Sequence, residues 1–195
     1  VLVDVFVHVM EQYATCDNKT PLQDRQAEAI VRTLLEMAPD VLSGKDYDSR
    51  AAFMWAATNG LNGLINCGVI QDWSTHMIGH ELTAFCGLAH AETLTIILPG
   101  VWRQEFEHKK GKLAQLARRV WHVLDGDQTA QANAAIEKTV EFFHSVDMPT
   151  RLGHYNIGQD TIDKIVARFT ERGTTMGEHQ DIGPQEVGQI LQRRL

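Results

Sequence analysis

Apolar positions recur along most of this chain at intervals of three and four, the spacing that places them on one face of an α-helix. Ala27, Ile30, Val31, Leu34, Leu35 and Ala38 form one such stripe. Ahead of it, Thr20-Pro21-Leu22-Gln23 reads as a capping box with proline at the first helical position. The stretch from Arg50 to Asn66 is almost wholly apolar or small and predicts a helix buried on most sides. Leu113, Leu116, Ala117, Val120 and Trp121 mark another helix, and Ala135, Ile136, Val140 and Phe143 a further one ended by Pro149. Ile162, Ile165, Val166 and Phe169 follow, closed by Gly173, and Pro184 opens a short last helix through Leu191. Strand signals, repeats, low-complexity tracts and long linkers are almost absent. The expectation is an all-α, bundle-like fold in one domain, 1–195.

One segment resists this reading. VLVDVFVHVM, residues 1–10, alternates strictly and is rich in valine, so local propensity favours a strand. Asp4 and His8 share a face in either geometry. Their Cα atoms would be roughly 13 Å apart on a strand and about 6 Å apart on a helix. Only the helix lets both side chains reach one ion, so chemistry and propensity point to different structures.

Composition narrows the function classes. The 195 residues are 44% hydrophobic and 22% charged, ordinary for a globular domain. A net charge of −7 argues against nucleic acid or an anionic membrane as partner. The densest basic run, His108 to Lys112, reads as a solvated helix end. Three cysteines without C-x-x-C spacing suggest reduced thiols in the cytoplasm, with Cys67 as a small packing residue. No apolar run approaches the ~20 residues that span a bilayer. The start carries Asp4 and His8, makes a poor signal peptide and lacks an initiator Met, as expected of a chain processed or cut from something longer.

Histidines carry the chemistry. His76 and His80 lie one helical turn apart, and Gly87 allows a reversal that could return His90 toward His76. Asp4 and His8 offer a carboxylate and an imidazole at chelating spacing. Such N/O donors suit Fe²⁺, Zn²⁺ or Mn²⁺. Other templates fail. Met77, where a zinc protease would need Glu, rules out H-E-x-x-H. Glu105-x-x-His108 and Glu141-x-x-His144 match di-iron spacing, but Glu141 lies off its core stripe and Glu105 and His108 lie at a polar helix end, so both pairs read as solvated. There is no P-loop, G-x-S-x-G or G-x-G-x-x-G after a strand.

Asp4-x-x-x-His8, followed by His76-x-x-x-His80 and His90, resembles the metal-binding C-terminal domain of the iron-containing (group III) alcohol dehydrogenases. The wording DVFVHVMEQYAT, AAFMWAATNGLNGLI and HMIGHELTAFCGLAHAETLTIILP is most similar to the butanol-dehydrogenase-like branch, which includes NADPH-dependent aldehyde reductases. The resemblance runs from Val1 to Leu195. It departs at Ala91, where many members have Gly, and at Glu92-Thr93, where Asn-Ala is common.

By position, the resemblance implies that Asp4, His8, His76 and His90 bind the metal, Fe²⁺ or Zn²⁺. It places His80 beside substrate and nicotinamide without a bond to the ion. It implies hydride transfer between NADP(H) or NAD(H) and an aldehyde or primary alcohol, in a cytoplasmic homo-oligomer. The family's N-terminal α/β dinucleotide-binding domain is absent from this chain and would be its partner, so the chain alone is expected to be inactive. From the residues alone, four protein ligands could equally close a structural zinc site in a non-catalytic helical protein.

Overall fold

A computed structural model describes residues 1–44 and 47–195. The α-helices are α1 (Leu2–Tyr13), α2 (Pro21–Ser43), α3 (Tyr47–Gly60), α4 (Ser74–Cys86), α5 (His90–Gln104), α6 (Phe106–Arg119), α7 (Gln128–Ser145), α8 (Gln159–Arg172) and α9 (Pro184–Gln192). A 3₁₀ turn covers Leu152–Tyr155, and a lone bridge pairs Met176 with Ile182. Among the described residues no strand forms and no helix is long and apolar enough to cross a membrane.

Helix α5 organises the fold. Ten consecutive residues, Thr93 to Trp102, are buried. Leu94, Leu98 and Trp102 join the core made with α1, α2, α3, α6 and α7. Ile96, Ile97 and Val101 join a second core with α4, α8 and α9. Each such side chain, fully buried, stabilises by roughly 1.5–3 kcal/mol.

The amino-terminal segment is helical despite its alternation. Leu2, Val3, Phe6, Val7, Val9, Met10 and Tyr13 are all buried, covered by α2, α3 and α5. Valine's helix penalty is below about 0.7 kcal/mol per residue, less than the burial gained. Packing overrides propensity here.

Three local expectations are corrected. Thr20 makes no side-chain cap, and Gln23 Nε2 instead donates to the Cys67 carbonyl at 2.7 Å. That turn lies at the surface, so Cys67 is exposed and not a packing residue. The apolar stretch from Arg50 is not buried on most sides either. Helix α3 turns Ser49, Phe53, Ala56 and Gly60 inward, at intervals of four, three and four, and leaves Met54 and Trp55 in solvent. A helix lying on a core buries only one stripe, whatever the composition of its other faces.

Close helix packing beside the histidines depends on Gly79. A Cβ there would lie 2.7 Å from Thr93 Oγ1 and 3.3 Å from its Cβ. Thr93 is short and branched, with its hydroxyl donating to the His90 carbonyl at 2.8 Å. Gly79→Ala is therefore expected to separate α4 from α5 and lower stability by about 1–3 kcal/mol, measured by denaturant unfolding. An unchanged midpoint would show that the contact relaxes freely.

Candidate metal centre

Three helices bring the donors together. On α1, Asp4 and His8 stand one turn apart. On α4, His76 and His80 do the same. Gly87 ends α4 in the left-handed region at φ 70°, which L side chains rarely adopt, and the chain reverses so that His90 opens α5. The His76 and His90 rings then lie 5.1 Å apart.

One donor atom from each of Asp4, His8, His76 and His90 falls within 4.8 Å of the others. Asp4 Oδ1 is 3.3 Å from His8 Nε2 and 3.6 Å from His90 Nε2. His76 Nε2 faces His8 Nε2 at 3.1 Å. Metal–ligand bonds of about 2.0–2.2 Å in a tetrahedron give ligand–ligand edges of about 3.3–3.6 Å. Asp4 Oδ1 and His8 Nδ1 are buried and lack hydrogen-bond partners. An unpartnered carboxylate oxygen among imidazole nitrogens suits a divalent cation, so the residues fit the ion.

The electrostatics suit ligation. Burial and the neighbouring His8 push His76 down to about 4, against the opposing pull of Asp4, so its ring is neutral near pH 7. Burial also lowers His90, again opposed by Asp4. The adjacent His8 imidazole holds the Asp4 carboxyl below the usual carboxylate range, outweighing burial. His80 is exposed and stacks on His90, with centroids 5.3 Å apart, and lies 6.3 Å from His76. Trp73 stands edge-on to both His8 and His76, at 5.6 and 5.3 Å.

Sequence reasoning missed Glu11, whose signal was its place three residues beyond His8 in a strongly apolar segment. Its buried carboxylate meets His76 Nδ1 and accepts the Thr75 amide at 2.7 Å and, more weakly, the His76 amide at 3.4 Å. A proton on Nδ1, assigned from this network, leaves the Nε2 lone pair facing the other donors. Burial and nearby Asp72 push the Glu11 pKa well above the usual range, and the amides at the start of α4 pull it back.

A second missed network supports the first. Asp72 Oδ1 accepts the Ser74 amide at 2.8 Å, and the Asp72 amide donates to the Glu11 carbonyl at 2.9 Å. Asp72 Oδ2 lies 2.8 Å from Lys109 Nζ, which also donates to Glu178 and to the Ala14 carbonyl. Lys109 is 1% exposed and Lys112, paired with Asp24 at 2.6 Å, is 6% exposed. The basic run is thus no solvated helix end. Two of its lysines point inward, where buried or half-buried carboxylates compensate them.

The di-iron spacings are not brought together. Glu141 is exposed and pairs with Lys138, while His144 bonds Thr150. Glu105 departs from the solvated reading, because the bend between α5 and α6 leaves its side chain only 10% exposed against His108. With Asp181 these two form a separate Glu–His–Asp cluster.

Comparison with known proteins identifies the family of the chain. The family described as the Fe-containing alcohol dehydrogenase family, C-terminal, matches residues 2–195. The Escherichia coli NADPH-dependent aldehyde reductase YqhD is 46% identical over 183 residues, 93% of this chain and 47% of that protein. A Bacillus subtilis protein named as a probable NADH-dependent butanol dehydrogenase is 32% identical over 197 residues, 100% of this chain and 51% of its own length. The substrate- and cofactor-free structure of the E. coli aldehyde reductase superposes with a TM-score of 0.96 at 43% identity, covering 100% of this chain and 52% of that one. This chain spans about half the length of the curated relatives it matches. It belongs to the Fe-containing alcohol dehydrogenase family and corresponds to that family's C-terminal part.

Proposed function

We propose that residues 1–195 are the metal-binding half of an NAD(P)H-dependent aldehyde reductase or alcohol dehydrogenase, with Asp4, His8, His76 and His90 holding one divalent ion, Fe²⁺ or Zn²⁺. The observation that carries this is the convergence of four donor atoms within 4.8 Å, with a buried carboxylate oxygen left without a hydrogen bond. When bound, the ion supplies Lewis acidity to a substrate oxygen.

The remaining work falls to the protein. Glu11 holds the proton on His76 Nδ1 and so orients its Nε2. Trp73 flanks His8 and His76 and keeps water from one side. His80, exposed and stacked on His90, is in place to hold or pass a proton at the substrate oxygen. The nicotinamide cofactor is held mainly by residues outside 1–195, in the portion of the relatives that this chain does not span. The E. coli relative's name makes NADPH the first to assay. Small aldehydes and primary alcohols are the substrate class, and the setting is a cytoplasmic homo-oligomer. Exposed Met54 and Trp55 on α3 offer apolar surface for association.

His80 also bears on the alternative, a purely structural metal site. Such a site needs no accessible histidine stacked on one of its ligands. In the full protein, His80→Ala is expected to keep its metal while turnover with NADPH and short aldehydes falls about 10²–10⁴-fold. Metal content and steady-state rates check this. Normal turnover would favour the structural reading, and loss of metal would make His80 a ligand.

A further inference from the structure

A cavity of about 810 Å³ opens on the side of the domain formed by the later half of α5, α7, the segment around Pro149 and the carboxy-terminal turn. Arg103 lies thirteen residues beyond His90 on α5, about 20 Å along the helix at 1.5 Å per residue. The cavity is therefore separate from the metal centre. Its volume falls in the range of small-molecule sites, roughly 300–1,000 Å³.

Its lining is basic. Arg103, Arg151, Arg193 and Arg194 line it with His144 and His154, and the acidic lining residues are Glu137 and Asp147. Glu137 is already engaged by Arg103. Among the described residues, the other arginine ion pairs are Arg119 with Glu28, and Arg168 and Arg172 with Glu81. Arg151, Arg193 and Arg194 pair with no described aspartate or glutamate side chain.

Arg194 is the telling member. It is only 7% exposed, its Nε has no hydrogen-bond partner, and among the described residues the one hydrogen bond of its side chain runs from Nη2 to the Thr150 carbonyl. Its stem is held against α5, where a Cβ at Gly100 would lie 3.0 Å from Cδ. A buried guanidinium normally has a carboxylate or phosphate beside it, because an uncompensated buried charge is costly. Burial and the nearby Arg151 push its pKa down to about 10, against the opposing pull of Glu137, so it remains charged at neutral pH. Arg151 reaches the carbonyls of Arg193 at 2.9 Å and Leu195 at 3.4 Å, which ties this turn to the cavity wall.

We propose that this arginine-lined cavity is a binding site for a small multivalent anion, a phosphate or a di- or tricarboxylate, remote from the metal centre. Such an anion would meet guanidinium forks suited to planar, bidentate contacts. It would also add to the single opposing charge that acts on Arg194, that of Glu137, which Arg103 already engages.

The test is calorimetric titration of the full protein, in phosphate-free buffer of low ionic strength, with inorganic phosphate and separately with citrate. Wild type, Arg151→Gln and Arg194→Met are compared. The expected result is saturable binding of one or both anions, weakened about tenfold or more in Arg151→Gln. Arg151 is exposed, so that variant keeps its fold, checked by circular dichroism. Arg194→Met, if it folds, should lose binding altogether. Phosphate alone would assign a phosphate-bearing ligand, and citrate alone a carboxylate. Failure of both to bind wild type up to about 10 mM, or equal binding by wild type and Arg151→Gln, overturns the proposal.

Discussion

A His76→Ala variant of the full protein is expected to retain less than about a tenth of the metal of the wild type after dialysis, with its helical content unchanged. His76 is the donor most firmly fixed in place. Its side chain is 10% exposed, its ring is neutral near pH 7, and the Nδ1 contact with Glu11 determines which nitrogen faces Asp4, His8 and His90. Glu11→Gln is the finer probe, because it keeps an accepting oxygen in a side chain of the same shape that cannot ionise. It should weaken metal affinity about 10–100-fold, the usual cost of losing a ligand's supporting partner. Elemental analysis and competition with a chelator measure both. Full metal in His76→Ala would refute the four-ligand site, and unchanged affinity in Glu11→Gln would refute the orienting role.

Lys109→Met is expected to lower the unfolding free energy by about 3–5 kcal/mol. The substitution leaves the Asp72 and Glu178 carboxylates, 3% and 2% exposed, without their cation. For a chain of this size that corresponds to a fall in Tm of roughly 6–20 °C. The neighbouring Lys110 gives the contrast. It is 26% exposed and pairs with a solvated Glu107, so Lys110→Met should change stability by no more than about 0.5 kcal/mol. Equal effects at the two positions would remove the case for a buried network.

The pH dependence follows the same groups. Burial alone would raise the Asp72 pKa, but Lys109 outweighs it, and the folded value lies below the ordinary one. A depressed carboxyl pKa contributes stability above its unfolded value, about 3.9. That contribution is lost as pH falls through the folded value. For Lys109, burial is outweighed by Asp72 and Glu178, and its pKa is raised. Its contribution is present below about 10.4, the unfolded value, and is lost as pH rises through the folded one. Wild type and Lys109→Met should thus differ most between these limits and converge in acid.

The helical stripes and the pairing of the candidate donors could be read from the chain because both rest on short-range geometry, whereas the choice of His90 over His80 as a ligand rested on the family resemblance. Residues four apart on a helix share a face, so Asp4 with His8 and His76 with His80 were visible as pairs. A glycine shortly before His90 announced the reversal. The same locality left VLVDVFVHVM undecided, since alternation argued for a strand and the Asp4–His8 pair for a helix until α2, α3 and α5 closed around it. It misled at α3, since an apolar composition does not say how many faces will find a neighbour. Glu11, Asp72, Lys109 and Glu178 were hidden for a deeper reason. Whether an ionisable side chain is solvated or buried depends on partners far away in sequence, and Lys109 finds Glu178 sixty-nine positions on. A lysine in a basic run looks the same either way. Folding alone brings the opposite charges close enough to offset the cost of removing both from water.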